Sequence, residues 1–175
     1  SIGAQANAYT TRDHTCYYLS TASRFFDTAL DLLADSTTNA AITQEEWQRE
    51  YEVIQREMET RRTNPMVILT EAMDHILFTV FPARVPVIGY RDAFRALTRD
   101  DVYAYYKRTY RPDNLLVVIA GDVNTGEALA KAKAAFGAMP HQAAAPIPLP
   151  SEPMQIAPRR VEKEMQVGQA YIMIS

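Results

Sequence analysis

Residues 43–62 read TQEEWQREYEVIQREMETRR. Thr43 followed by Glu46 is a capping-box pattern, in which the hydroxyl and the carboxylate each satisfy a free backbone N–H at a helix start. Trp47, Tyr51, Ile54 and Met58 then recur at intervals of four, three and four, which is one apolar stripe along an α-helix. Gln48, Arg49, Glu52, Arg56 and Glu59 fall on the opposite face. A single helix over 43–62 is expected, and it needs another layer against which to bury the stripe. Glu50 and Glu57 lie seven apart, almost two turns, so at about 100° per residue they point within roughly 20° of each other. That edge borders the stripe beside Val53 and predicts both carboxylates at the rim of the core. The plainer reading of the pattern alone is two snorkelling surface acids paired with arginines.

Working outward, ANAYTTRDHTCYYLS (6–20) places β-branched and aromatic residues on either side of a polar Thr11-Arg12-Asp13-His14 turn, which reads as a two-stranded hairpin. Phe26, Ala29, Leu30, Leu33 and Ala34 fall at helical spacing, giving a helix from about Phe25 that ends near 36–39. Asn64-Pro65 is the cap and first residue of a further helix, apolar through Met73, Ile76 and Leu77. An irregular connection over 81–89 follows, and Thr98 with Asp101 then caps a helix whose face is Val102, Tyr105, Tyr106 and Tyr110. LLVVIA (115–120), closed by Gly121-Asp122, predicts a central strand buried on both faces, and 125–138 an Ala-rich helix. Six of the ten prolines lie between Pro140 and Pro158, so 140–158 reads as an extended linker between 1–139 and a following unit, 159–175. Within that unit VEKEMQVGQAYIMIS (161–175) alternates and then turns apolar, as a first strand would.

With 47% of its 175 residues apolar, the chain can bury a real core. Its 18 basic and 21 acidic residues give a net charge of −3 without a long run of either sign, which excludes a nucleic-acid footprint and a polybasic membrane anchor. No apolar stretch approaches the roughly 18 residues of a membrane span. The lone Cys16 excludes an internal disulfide framework and is expected as a buried small residue without a nucleophile's His partner. The chain begins Ser1-Ile2-Gly3-Ala4, with neither an initiator methionine nor a secretory signal, so the natural amino terminus is expected upstream. Cytoplasm and periplasm both stay open. His14, His75 and His141 have no metal spacing to one another and are read as non-ligands.

Asn7-Ala8-Tyr9-Thr10, Thr15 with Tyr17-Tyr18, Arg49-Glu50 with Val53-Ile54 and Glu57, Pro86-Val87-Ile88-Gly89, YKRTYRPDN (106–114) and Gly121-Asp122-Val123 follow one another in a recognisable order and spacing. Together they resemble the downstream part of the catalytic domain of the pitrilysin/insulinase family, which includes the mitochondrial processing peptidase. The resemblance covers essentially the whole chain. It implies an α+β fold, a mostly antiparallel sheet packed against helices on one side, with the linker leading to a repeated unit. It implies a zinc metalloendopeptidase acting on an extended peptide or unfolded polypeptide held between two homologous halves or subunits.

That family binds zinc through His-x-x-Glu-His plus a distal glutamate. By position, Glu57 matches the distal ligand and Glu50 the glutamate one heptad earlier that supports the site. Asn7, Ala8, Tyr9 and Thr10 match an edge strand beside the zinc, to which a peptide adds as a further strand; the alternative is an ordinary hairpin strand with Tyr9 in the core. The resemblance also makes Tyr103, Tyr105, Tyr106 and Tyr110 packing residues and not a stacking platform for bases. No His-x-x-Glu-His occurs in residues 1–175. One carboxylate cannot hold a four-coordinate zinc, so this chain alone is expected to be inactive. Two further readings remain: a non-catalytic family member or subunit serving substrate capture or assembly, and a plain peptide-binding module using the 7–10 edge. Retention of both glutamates favours the enzyme.

Overall fold

A computed structural model describes residues 3–139 and 147–175. In chain order its regular elements are β1 (Gln5–Thr10), β2 (Thr15–Ser20), α1 (Phe26–Thr38), α2 (Gln44–Arg61), α3 (Pro65–Leu77), α4 (Arg91–Arg95), α5 (Arg99–Thr109) and α6 (Thr125–Phe136), with short 3₁₀ turns at Ser23–Phe25, Pro82–Arg84 and Pro112–Asn114. The fold class is α+β. The chain divides into two compact units: Ser1–Thr43 with Thr98–Pro146, and Gln44–Leu97 with Ile147–Ser175.

In the first unit β1 and β2 form an antiparallel hairpin, with Asn7 opposite Tyr18 and Tyr9 opposite Cys16. Its turn is closed by Thr11, whose N–H donates to the His14 carbonyl at 2.8 Å and whose hydroxyl donates to Asp13 at 2.6 Å. That hydroxyl, helped by the His14 ring, holds the Asp13 carboxyl below its ordinary range. Helix α1 packs on β2 and on α6, bringing the small buried residues Ala29, Ala34 and Ala128 and the larger Leu30 into the core. Thr98 caps α5 as expected: its hydroxyl accepts from the Asp101 N–H, and the Asp101 carboxylate accepts the Thr98 hydroxyl at 2.6 Å and amide at 2.8 Å. Those bonds lower the Asp101 pKa, the hydroxyl contributing most. Tyr17 and Tyr110 share a 2.6 Å hydroxyl contact, and burial, then that contact, pushes the Tyr110 phenol well above its usual value. Ahead of α2, Ile42 has φ +46°, strained for a β-branched residue. Arg99 grips this turn, donating to the Ile42 carbonyl at 2.5 Å and the Ala41 carbonyl at 3.0 Å.

In the second unit the stripe of α2 finds its partner in α4. Phe94, buried, stacks on Tyr51 with centroids 4.9 Å apart and lies 6.2 Å from Trp47, while Arg91 pairs with Glu59 at 2.8 Å. These contacts explain a five-residue helix where no periodic pattern announces one. Asn64 caps α3 by accepting from the Met66 N–H at 3.0 Å, and the Pro86-Val87-Ile88-Gly89 segment is a turn in which Gly89 N–H donates to the Pro86 carbonyl at 2.8 Å with φ +78° at the glycine.

Four expectations are corrected. Residues 115–120 are not a buried central strand: they pair with no strand among the described residues, and Leu116 and Val118 are 86% and 78% exposed. A doubly buried strand needs neighbours for its amides and a layer over each face, and the described residues do not supply them. The same reason leaves 160–174 without a strand, its Ile172 and Ile174 in solvent. Tyr105 is not a packing residue; its exposed ring lies under Arg108, whereas Tyr106 is buried. Cys16 is half-buried and not buried; on β2 it stands opposite Tyr9, which is itself half exposed.

Candidate functional site: one helix edge and one strand edge

α2 is continuous from Gln44 to Arg61, so Glu50 and Glu57 share one edge of an unbroken helix. The stripe predicts both carboxylates at the rim of the core, and the structure instead matches the plainer reading of two surface acids. Both are exposed, and Val53 between them is 42% exposed. Phe94 meets the stripe at Trp47 and Tyr51, which are half-buried, and Met58 is buried. Glu50 stands 3.7 Å from the Arg49 Nε, whereas Glu57 has no hydrogen bond or ion pair with the described residues. A surface pair such as Arg49 with Glu50 is weakly held and screened by salt, so it does not prevent the carboxylate from turning to another partner.

The residues Asn7, Ala8, Tyr9 and Thr10 belong to the other unit. Every residue of β1 is exposed, and it pairs only with β2, which leaves its second edge open among the described residues. Tyr9 is half exposed, against the His14 ring at 5.7 Å and the Tyr18 ring at 6.5 Å, so it is not a core residue of an ordinary hairpin. Asn7 accepts the Ala8 amide at 2.8 Å, and Thr10 meets the Thr15 hydroxyl at 3.1 Å.

For a metal, the described residues offer donors but no complete set. Among the described residues no three His, Cys, Asp or Glu side chains gather as an ion site. His14 is bound into the hairpin turn through Thr11 and Asp13, and His75 lies 3.4 Å from an Arg84 nitrogen; His141 lies outside the described residues. Glu57 is exposed on the continuous helix α2 and leaves its carboxylate oxygens without a partner among the described residues, as an oxygen donor to an ion needs. No helix among the described residues is long and apolar enough to cross a membrane.

The family profile of insulinase (peptidase family M16) matches residues 1–89, and that of the peptidase M16 inactive domain matches residues 96–175. An uncharacterized zinc protease of Mycobacterium leprae is 31% identical over 137 residues, covering 78% of this chain and 31% of that protein. The probable mitochondrial-processing peptidase subunit beta of Schizosaccharomyces pombe is 30% identical over 137 residues, covering 78% and 30%. A solved protease structure from Helicobacter pylori aligns with a TM-score of 0.79 at 25% identity, over 86% of this chain and 37% of that one. The chain therefore spans about a third of the length of the curated relatives it matches. With half of its residues matched by the first profile, and with zinc proteases among its relatives, this chain belongs to the insulinase family, peptidase family M16.

Proposed function

We propose that the full-length protein to which this chain belongs is a zinc metalloendopeptidase that hydrolyses extended peptides. Glu57 is one oxygen ligand of the zinc, and the histidine ligands and general base come from a His-x-x-Glu-His outside residues 1–175. The bound metal supplies an activated water and polarises the scissile carbonyl. Glu50 orients the ligand shell through hydrogen bonding from one heptad earlier, as outer partners of metal ligands do. Asn7, Ala8, Tyr9 and Thr10 offer the open edge of β1 to the substrate, whose main chain adds as a further strand with little dependence on its side chains. An unprotected strand edge is otherwise an aggregation liability. On the same reading, 159–175 opens a second homologous half, reached through the 140–158 stretch.

The observation that carries this reading is the Glu57 carboxylate: exposed on a continuous helix, paired with nothing among the described residues, in a chain of a family whose relatives include zinc proteases. The test is zinc content and hydrolysis of an unstructured peptide by the full-length protein and its Glu57→Gln variant. Joint loss of metal and activity supports the assignment. A variant that keeps both has its zinc ligand elsewhere.

A further inference from the structure

Behind the end of α3, three consecutive backbone N–H groups converge on one carboxylate from a distant part of the chain. One Glu152 oxygen accepts the Thr79 amide at 2.7 Å and the Thr79 hydroxyl at 2.6 Å. The other accepts the Val80 amide at 3.0 Å and the Phe81 amide at 2.8 Å. Seven residues further on, the Arg159 guanidinium donates to the carbonyls of Ile76 at 2.6 Å and Leu77 at 3.3 Å, the last two of α3.

The signs match on both sides. A helix C-terminus carries unpaired carbonyls and partial negative charge, which a guanidinium satisfies. A run of successive amides in a turn is a concave anion site, which a carboxylate satisfies. Two oxygens taking two donors each suit a planar carboxylate, and charge-assisted bonds of this kind are about twice as strong as neutral ones. Desolvation pushes the Glu152 carboxyl upward, but the Thr79 hydroxyl and the amides of Thr79, Phe81 and Val80 outweigh it and hold the pKa at about 2.

The stretch that brings Glu152 and Arg159 has no regular secondary structure of its own, so no backbone ladder sets its place. Gln155, Arg159 and Val161 from it nevertheless face Met73, Ile76 and Leu77 of α3 across a cavity of about 200 Å³. We propose that the amides of Thr79, Val80 and Phe81 form a carboxylate-binding site filled in cis by Glu152, and that Glu152 with Arg159 clasps residues 147–161 onto the end of α3.

The 175-residue chain with Glu152→Ala tests both halves of this. Amide exchange at 79–81 should accelerate roughly tenfold or more, as expected for loss of charge-assisted bonds, and trypsin should cut faster after Arg159 or Arg160. Sodium formate, set against sodium chloride of equal ionic strength, should restore protection at 79–81 in the variant while leaving the Arg159 cut fast, since a free carboxylate refills the nest without reattaching the strap. Glu162→Gln removes only an exposed pair with Arg160 and should leave exchange at 79–81 unchanged. Should Glu152→Ala not fold, the nearly isosteric Glu152→Gln carries the same exchange and proteolysis comparison. Unchanged exchange and cutting in the Glu152 variants would overturn the clasp. Exchange indifferent to formate would overturn the carboxylate site, and equal acceleration in Glu162→Gln would reduce the effect to general destabilisation.

Discussion

The Tyr106 hydroxyl on α5 donates to the Thr37 carbonyl at the end of α1 at 3.1 Å and accepts the Ala40 amide at 3.1 Å, so one buried phenol closes the C-terminus of another helix. Tyr106→Phe keeps the ring but orphans the Thr37 carbonyl and the Ala40 amide. A buried group left unsatisfied costs about 1–3 kcal/mol. The expected result is a lower denaturant midpoint with an unchanged slope, while Tyr105→Phe, exposed on the same helix, stays within about 0.5 kcal/mol of the parent.

Phe94 of α4 meets the α2 stripe, stacked on Tyr51 and close to Trp47. Phe94→Ala should lose about 3–5 kcal/mol by leaving a cavity beside both rings. Val53→Ala, at a 42% exposed position of α2, should lose far less. Equal losses, measured by chemical denaturation, would show that α4 does not bury the stripe.

The two glutamates of α2 should separate by role in the full-length protein. On the proposed assignment of Glu57 as a zinc ligand, Glu57→Gln should lower zinc occupancy and peptidase activity together. Glu50→Gln leaves the ligand set formally intact, so it should retain zinc at high metal concentration while activity falls about 10–100-fold, the range typical of outer-layer partners. Glu52, on the solvated face beside Arg56, is the control, and Glu52→Gln should leave metal and rate unaltered. The 175-residue chain alone should hold no stoichiometric zinc and hydrolyse no unstructured peptide; one metal per chain, measured by elemental analysis, would contradict this.

The Glu152 carboxyl titrates at about 2 when folded against an ordinary 4.5. The folded state therefore binds fewer protons than the unfolded one between these values. Its stabilising effect is fully present above pH 4.5, declines as the pH falls, and is lost on passing about 2. The melting temperatures of the parent and Glu152→Gln should accordingly differ by a constant amount near neutrality and converge in acid. A gap that stays constant down to the acid limit would show that the charge on Glu152 does not matter.

Where a helix start is capped by groups only a few residues apart, residue types alone reveal it: Asn64 receives the Met66 amide, and Thr98 and Asp101 exchange caps. The shared edge of Glu50 and Glu57 follows likewise from helical pitch. Burial is a different matter, because it is a relation between two surfaces. The apolar run 115–120 carries the composition of an interior strand, yet Leu116 and Val118 stand in solvent, since no neighbouring strand or covering layer meets them among the described residues. The α2 stripe is visible as a pattern, but its partner Phe94, about 40 residues along, is not; the exposure of Glu50 and Glu57 follows the plainer reading of their pattern, two surface acids, and not the rim of the core. The pairing of Glu152 with Thr79 leaves no periodicity, cap or turn signal at either end. A carboxylate and three amides some 73 positions apart become a site only after the chain has met the entropic cost of bringing them together, and no local preference records where that closure falls.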